Sequence, residues 1–231
     1  MSVVIAHRNT SRALARRTLA SLGLACALCV GAGCEIAGLA SVMVESYKRS
    51  STRLVPAEYR GLEGKNFAVI VSADRVIQSD NPNLVSRMQV AISERLREHA
   101  GGAGYVPPDI MLAYLGANPR WAAKPFGDIA EELGVERLII VELLDFRLHE
   151  PGNPHIWNGA AAATVGVIEA DGPLPDEFLF RSQQRVMFPD GDGYGPLDFS
   201  ASFVSMRLQT RLLDRVTWLF YDHQEPYYPS Y

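Results

Sequence analysis

The chain has 231 residues, of which 48% are hydrophobic and 21% are charged, a composition typical of globular proteins. Its 22 basic and 26 acidic residues give a net charge of −4, and the first 33 residues contain four of the arginines and no acidic residue. The rest of the chain is therefore more acidic still. It lacks the basic surface that nucleic-acid backbones require, so we predict no nucleic-acid partner.

The N-terminal segment predicts export. Its arginines precede an apolar run from Leu19 to Val30, in which Ser21 is the polar exception, and small residues follow at positions 31–33. The run has 12 residues, whereas a helix that crosses a bilayer needs roughly 20. Residues 1–33 resemble the signal peptide of a bacterial lipoprotein, which is removed before a cysteine that is then acylated. That cysteine is Cys34 here, and ordinary secretory cleavage or an uncleaved anchor are the alternatives.

The three cysteines, Cys26, Cys29 and Cys34, all lie in this segment or at its end. The body of the protein therefore has no disulfide, no cysteine-ligated metal and no thiol nucleophile. Because the body is acidic, we expect attachment to a membrane to depend on the acyl chains at Cys34.

The chain divides into four regions. The signal peptide, residues 1–33, is followed by a tether at 34–63, which contains a short amphipathic segment with Ile36, Leu39, Val42 and Met43 at helical spacing. A single α/β domain is predicted for residues 64–222. A tail rich in tyrosine and proline follows at 223–231.

The first half of the domain alternates strands and helices. An apolar run rich in β-branched residues predicts a strand over Asn66–Ala73. Helical spacing of Val85, Met88, Ile92 and Leu96 predicts a helix that starts near Asn83 and ends before Gly101. Residues 110–115 fit either a helix or a strand. A short helix at 128–133, ended by Gly134, leads into the most apolar predicted strand, at 137–146.

The second half predicts an antiparallel pair of strands and a long helix. The strands are 159–169 and 177–188, and the short connection between them favours antiparallel pairing. Phe178, Phe180, Val186 and Phe188 share one parity, which predicts one packed face and one solvated face. Residues 199–220 predict an amphipathic helix with an apolar side formed by Phe203, Met206, Leu213, Val216 and Phe220.

This order predicts an α/β (α+β) fold, in which a mixed sheet of about four to five strands is flanked by helices in a three-layer-like arrangement. The C-terminal helix covers the sheet. The segment Asp128–Leu143, in which a helix ends at Leu133-Gly134 and leads into a strand, is similar to a pattern in envelope lipoproteins. The pattern resembles CsgG-type secretion lipoproteins, LpoB-type activators of peptidoglycan synthases and the N-terminal domain of TolB. The resemblance implies a non-catalytic accessory that binds a partner or assembles with itself.

No motif in the chain predicts catalysis, a metal or a cofactor. The loop with Asp190 and Asp192 lacks the later oxygen ligands of an EF-hand calcium loop, so we interpret it as a turn. No two histidines stand four residues apart, as a metalloprotease helix requires, and no glycine-rich phosphate loop precedes a helix.

Two surface features are candidate partner-binding sites. Arg207, Arg211 and Arg215 are spaced four apart, which predicts one stripe on the last helix. This stripe is either a solvated face or a surface for an acidic partner or lipid headgroups. The tail offers Tyr227, Tyr228 and Tyr231 beside prolines, a composition that suits docking in a groove or folding back on the body.

The leading hypothesis is therefore a lipid-anchored protein of the bacterial cell envelope that faces the periplasm or the exterior. It acts as a binding or assembly accessory in secretion, transport or cell-wall synthesis. One rival is a hydrolase whose site is assembled from Asp145, His149 and Asp190, which should then lie within hydrogen-bond reach around one cleft. Another is a component of an oligomeric pore or ring.

Overall fold

A computed structural model describes residues 51–226 of the chain. The signal peptide, Cys34, the amphipathic part of the tether and the three tail tyrosines lie outside the described residues. The chain divides into two compact units. The body, as far as it is described, is Leu54–Glu225, and of the other unit only residues 51–53 and Pro226 are described.

Seven strands and five α-helices occur among the described residues. The strands are β1 (Thr52–Val55), β2 (Asn66–Ala73), β3 (Gly104–Tyr105), β4 (Arg137–Arg147), β5 (Gly159–Glu169), β6 (Phe178–Phe188) and β7 (His223–Pro226). The helices are α1 (Arg75–Asp80), α2 (Leu84–His99), α3 (Pro108–Ala117), α4 (Phe126–Leu133) and α5 (Ala201–Thr217), and a 3-10 turn covers Trp121–Ala123.

The main sheet has the order β3-β2-β4-β5-β6, and β1 and β7 form a separate two-stranded sheet. Parallel pairing joins β2 to both β3 and β4, whereas β4–β5 and β5–β6 are antiparallel. The predicted α/β class, with a mixed sheet of about four to five strands flanked by helices, is therefore confirmed, and the main sheet has five strands. The segment that the sequence left open is helix α3. Gly134 ends α4 in the left-handed conformation, with φ of 66°.

Helices lie on both faces of the main sheet. On the first face, α2 and α5 pack against alternate residues of the strands, such as Val69, Val141 and Val165. On the second face, α3 and α4 cover Ile70 and Ile140 of β2 and β4 through Met111 and Ile129. Strands β2 and β4 thus have their alternate side chains in two different cores, which is why each contains an unbroken apolar run, Phe67–Val71 in β2 and Leu138–Val141 in β4.

Helix α5 covers the sheet as predicted, but with a different face. Val204, Leu208, Leu212 and Val216 are fully buried, whereas Phe203 and Met206 are 38% and 52% exposed. The rotation follows from the close approach of the helix to β5 at Gly159, where a side-chain carbon would clash with Leu208. The sequence-based choice of the inward face was therefore wrong for Phe203 and Met206.

Residues assigned to the tether are part of the packed body, because Tyr59 and Leu62 are buried in the first core. The hydroxyl of Tyr59 donates to Glu169 at 2.8 Å. Burial, and then this hydrogen bond, raise the pKa of Tyr59 well above its usual range. Arg137, beside Glu169, pairs with Asp171, which also accepts from Lys65 at 2.6 Å. The hydrogen bond from Lys65 lowers the pKa of Asp171, and Arg137 adds to the effect.

Among residues 51–226, no helix has both the length and the apolar character needed to span a bilayer.

Candidate binding cleft

The described residues cover the second face of the main sheet only in part. The core beneath α3 and α4 includes residues of β2 and β4, one residue of β5, Ile168, and no residue of β6. Over the rest of β5 and β6, the side chains on this face are short on one strand and long and exposed on the other. Ala160, Ala162, Thr164 and Gly166 of β5 lie beside Met187, Arg185, Gln183 and Arg181 of β6, in that order.

A cleft of about 480 Å³ lies where the covered and uncovered parts of this face meet. Its walls are aromatic: Trp121 follows α3, Phe126 begins α4, and Phe178 begins β6. The rings of Phe126 and Phe178 are 5.4 Å apart. Ser72 and Ala73, at the carboxyl end of β2, close one side, and ligands of open α/β sheets commonly bind beyond these strand ends.

A change of register on β6 places Phe178 in this cleft. The pairing of β5 with β6 shifts between Val167 and Ile168, so that Val167 faces Phe180 and Ile168 faces Phe178. Ile168 belongs to the second core, whereas Phe180 packs against the first. The predicted parity therefore holds for Phe180, Val186 and Phe188 and was wrong for Phe178, because a bulge moves a side chain to the opposite face.

Gly166 leaves space for the Phe178 ring. A side-chain carbon at this position would clash with the Phe178 ring. Glycine in a strand interior often marks such a close approach, so this residue was a signal available in the sequence. Phe178 is 39% exposed and can therefore contact a ligand.

The floor of the cleft carries opposite charges. In the register of the sheet, Glu142 lies between Ser72 and Thr164, and Arg181 lies beside Gly166. From strand spacing and rise, the Glu142 and Arg181 backbones are roughly 12 Å apart. The Arg181 guanidinium stands 5.7 Å from the Phe178 ring centroid. The arrangement offers an apolar slot with a carboxylate at one side and a cation at the other.

The predicted arginine stripe is not a single solvent-facing surface. Arg211 is 5% exposed, and its guanidinium donates to both carboxylate oxygens of Asp190, at 2.6 and 2.7 Å. Arg215 is half-buried and pairs with the buried Glu225 at 3.5 Å. Arg207 lies 5.7 Å from the ring centroid of Phe188. Helix α5 is rotated so that Arg211 points inward, which the four-residue spacing alone does not indicate.

The groups proposed for a hydrolase have separate partners. Asp145 is paired with Arg147 at 3.6 Å, His149 stacks on Trp157 at 4.3 Å, and Asp190 is held by Arg211. No hydrogen bond in the described part of the chain joins any two of Asp145, His149 and Asp190. Residues 51–226 also contain no cluster of three or more His, Cys, Asp or Glu side chains that could hold a metal ion.

The sequence missed the cleft because its parts are distant along the chain. Trp121, Phe126, Glu142 and Arg181 come from four different segments. Only the parallel pairing of β2 with β4 and the antiparallel return through β5 and β6 bring these segments together.

No family model matches the chain, and no curated protein matches it. The structure is similar to that of PelC from Paraburkholderia phytofirmans, a dodecamer, with 14% identity, a TM-score of 0.42 and coverage of 74% of this chain and 99% of that one. It is also similar to lipoprotein GNA1162 from Neisseria meningitidis, with 10% identity, a TM-score of 0.43 and coverage of 63% and 94%.

The LpoB group has a distant counterpart among solved structures. The C-terminal domain of LpoB from Salmonella enterica is 11% identical, with a TM-score of 0.22 and coverage of 62% of this chain and 90% of that one. The resemblances to CsgG and TolB stay predictions. TM-scores of 0.43 or lower leave the function of this chain to be inferred from its own residues.

Proposed function

We propose that the chain is a lipid-anchored protein of the bacterial envelope that acts by binding a segment of a partner protein, without catalysis. The observation that carries this proposal is the aromatic cleft on the uncovered part of the sheet. Trp121, Phe126 and Phe178 form a slot open to solvent, and exposed aromatic side chains are enriched where proteins bind one another.

A polypeptide fits this surface better than a small molecule. Pockets for small molecules enclose most of their ligand, whereas this cleft continues onto the open face beside Thr164 and Gln183. The charges of Glu142 and Arg181 would fix the direction and register of a chain lying across them. In the described structure, no hydrogen bond joins Glu142 to the neighbouring hydroxyl of Ser72 or of Thr164. The cleft therefore offers no support for a hydroxyl nucleophile activated by Glu142.

The membrane attachment rests on Cys34 and has its own test. Cells that express the protein are labelled with a fatty-acid analogue, and the same is done for Cys34→Ser. We expect label on the wild-type protein in the membrane fraction and none on the variant. A labelled variant, or an unlabelled wild-type protein, contradicts the anchor.

The cleft is tested by photocrosslinking in intact cells. A benzophenone amino acid replaces Phe126 in the cleft or, as a control, Val90, which is 44% exposed on α2 at the other face of the sheet. We expect a single adduct of defined mass from position 126, which Trp121→Ala weakens, and none from position 90. Equal adducts from both positions, or none from either, would overturn the assignment of the cleft.

A further inference from the structure

Among residues 51–226, no strand pairs with the outer edge of β6. β6 is the last strand in the sheet order, and it pairs only with β5. In the described part of the chain, no backbone-to-backbone hydrogen bond joins residues 179–187 to any segment other than β5. One backbone group on β6, the Met187 carbonyl, accepts from the side chain of Arg211. The strand is 11 residues long, so most of its outer edge has no hydrogen-bonding neighbour among the described residues.

The opposite edge of the same sheet is closed. Strand β3 is only two residues long, so on the side of β2 away from β4 it pairs with only a short part of that strand. The side chain of Gln89 takes its place, because it donates to the Val69 carbonyl at 2.8 Å and accepts from the Val71 amide at 2.9 Å. The contrast matters, since short strands and covering side chains are two of the ways in which an edge is protected. Strand β6 is 11 residues long, and the described side chain that covers its backbone, that of Arg211, does so at Met187, near its end.

Side chains on the open face of β6 carry uncompensated positive charge. Arg181 and Arg185 are both exposed and stand on either side of Gln183. Within residues 51–226, neither arginine is within ion-pair distance of a carboxylate. The body as a whole is acidic, so this is a local basic stripe along the last strand of the sheet.

We propose that β6 binds an extended, acidic segment of a partner protein, which adds to the sheet as a further strand. Backbone hydrogen bonds along the edge would supply the attachment, and two acidic side chains four residues apart in the partner would lie opposite Arg181 and Arg185. Opposite charges across neighbouring strands stabilise the pairing, whereas like charges destabilise it.

A second copy of this chain fits the same edge less well. Pairing of β6 with its own copy about a two-fold axis would put four guanidinium groups on one face of the junction, because the same two arginines recur on each strand. An acidic segment neutralises them instead. The charge pattern therefore favours a different protein over self-association.

The inference rests on the proposed binding role and gives it a partner of defined chemistry. The two surfaces are adjacent, because Arg181 belongs to β6 and also lines the cleft beside Phe178. A segment added to β6 would therefore pass beside the mouth of the cleft.

The test uses the full-length protein in detergent and a fluorescent nine-residue peptide. The peptide has glutamate at its third and seventh positions, threonine and serine between them and leucine at both ends. A matched peptide has lysine in place of both glutamates. We expect the acidic peptide to bind and the basic one to bind at least about tenfold more weakly, with the difference reduced by salt.

Charge reversal in the protein should exchange the preference. The double variant Arg181→Glu, Arg185→Glu is expected to bind the basic peptide, and its affinity for the acidic peptide should fall by about tenfold or more. Arg87→Glu, an exposed change on α2, is the control and should leave both affinities unchanged. Methylation of alternate backbone nitrogens in the acidic peptide should abolish binding, because it removes the donors that strand pairing needs.

Three outcomes would overturn the inference: binding that survives backbone methylation, unchanged preference after charge reversal, or a dimer of the full-length protein that the acidic peptide does not dissociate. Trp121→Ala separates the two proposals. It should weaken crosslinking in the cleft and leave peptide binding at β6 in place, so a failure of one proposal does not disguise a failure of the other.

Discussion

The inward-pointing Arg211 provides a direct test of how α5 is held on the sheet. Its guanidinium donates to both oxygens of Asp190 and to the Met187 carbonyl, and it stands 5.0 Å from the ring centroid of Phe188. One side chain thus joins α5 to the end of β6 and to the loop that follows it. Arg211→Met keeps most of the apolar volume and removes the charge and all of its donors.

The magnitude follows from the burial of the two partners. Removing one member of a buried ion pair costs about 3–5 kcal/mol, because the other charge is left without compensation. The Arg211 side chain is 6% exposed, but that of Asp190 is 41% exposed. Water can therefore solvate the remaining carboxylate, and we expect a loss of about 2 kcal/mol. For a domain of this size, that loss lowers the Tm by roughly 4–8 °C.

The assay is thermal and urea unfolding of the purified full-length protein, followed by circular dichroism. Arg207→Met is the matched control, since Arg207 lies one turn earlier on the same helix and near the same Phe188 ring. The control should change the free energy of unfolding by less than about 0.5 kcal/mol. Equal effects of the two substitutions would refute the reasoning that the buried pair, rather than the charge of the helix face, stabilises the contact.

Three further predictions concern the edge, the cleft and the acid stability of the body. Gln89→Leu should lower the free energy of unfolding by about 2 kcal/mol in urea titrations, because it leaves two backbone groups of β2 buried without partners. Gly166→Ala should displace the Phe178 ring, so we expect a lower yield of the cleft crosslink with only a small decrease in Tm. A crosslink of unchanged yield would contradict the predicted role of that ring. Lys65 lowers the pKa of Asp171 in the folded protein. The stabilisation that this ion pair gives the folded state is therefore fully present above the unfolded-state pKa of Asp171, about 3.9, and is lost as the pH falls through the folded-state pKa. The Tm difference between the wild type and Lys65→Met, equivalent to about 0.5 kcal/mol at neutral pH for this partly exposed pair, should therefore shrink between pH 5 and pH 3, and a difference that grows would contradict it.

Much of the fold could be predicted because its elements have local signatures. The apolar run at Asn66–Ala73 and the spacing of Met88, Ile92 and Leu96 each depend on residues within one segment. Gly134 marks the end of α4 for the same reason, since a left-handed residue is needed there. The antiparallel pairing of β5 and β6 followed from their short connection.

The errors arose where a neighbouring element decided the outcome. Helix α5 has apolar residues on more than one side, and contact with Gly159 selects the face with Leu208 rather than the face with Met206. Phe178 lies in the cleft because a bulge on the paired strands reverses its direction. Neither effect is encoded in the spacing of a single segment.

The amino-acid sequence alone thus determined the class of fold, the order of its main elements and the prediction of an export signal ending at Cys34, since each depends on nearby residues. The tertiary structure decided which faces are covered and which remain open. The aromatic cleft and the outer edge of β6 depend on the register of the strands and on how far helices α3 and α4 extend across the sheet. Both are set by packing between distant segments. That is why Trp121, Phe178 and Arg181 line one cleft only when the sheet is assembled.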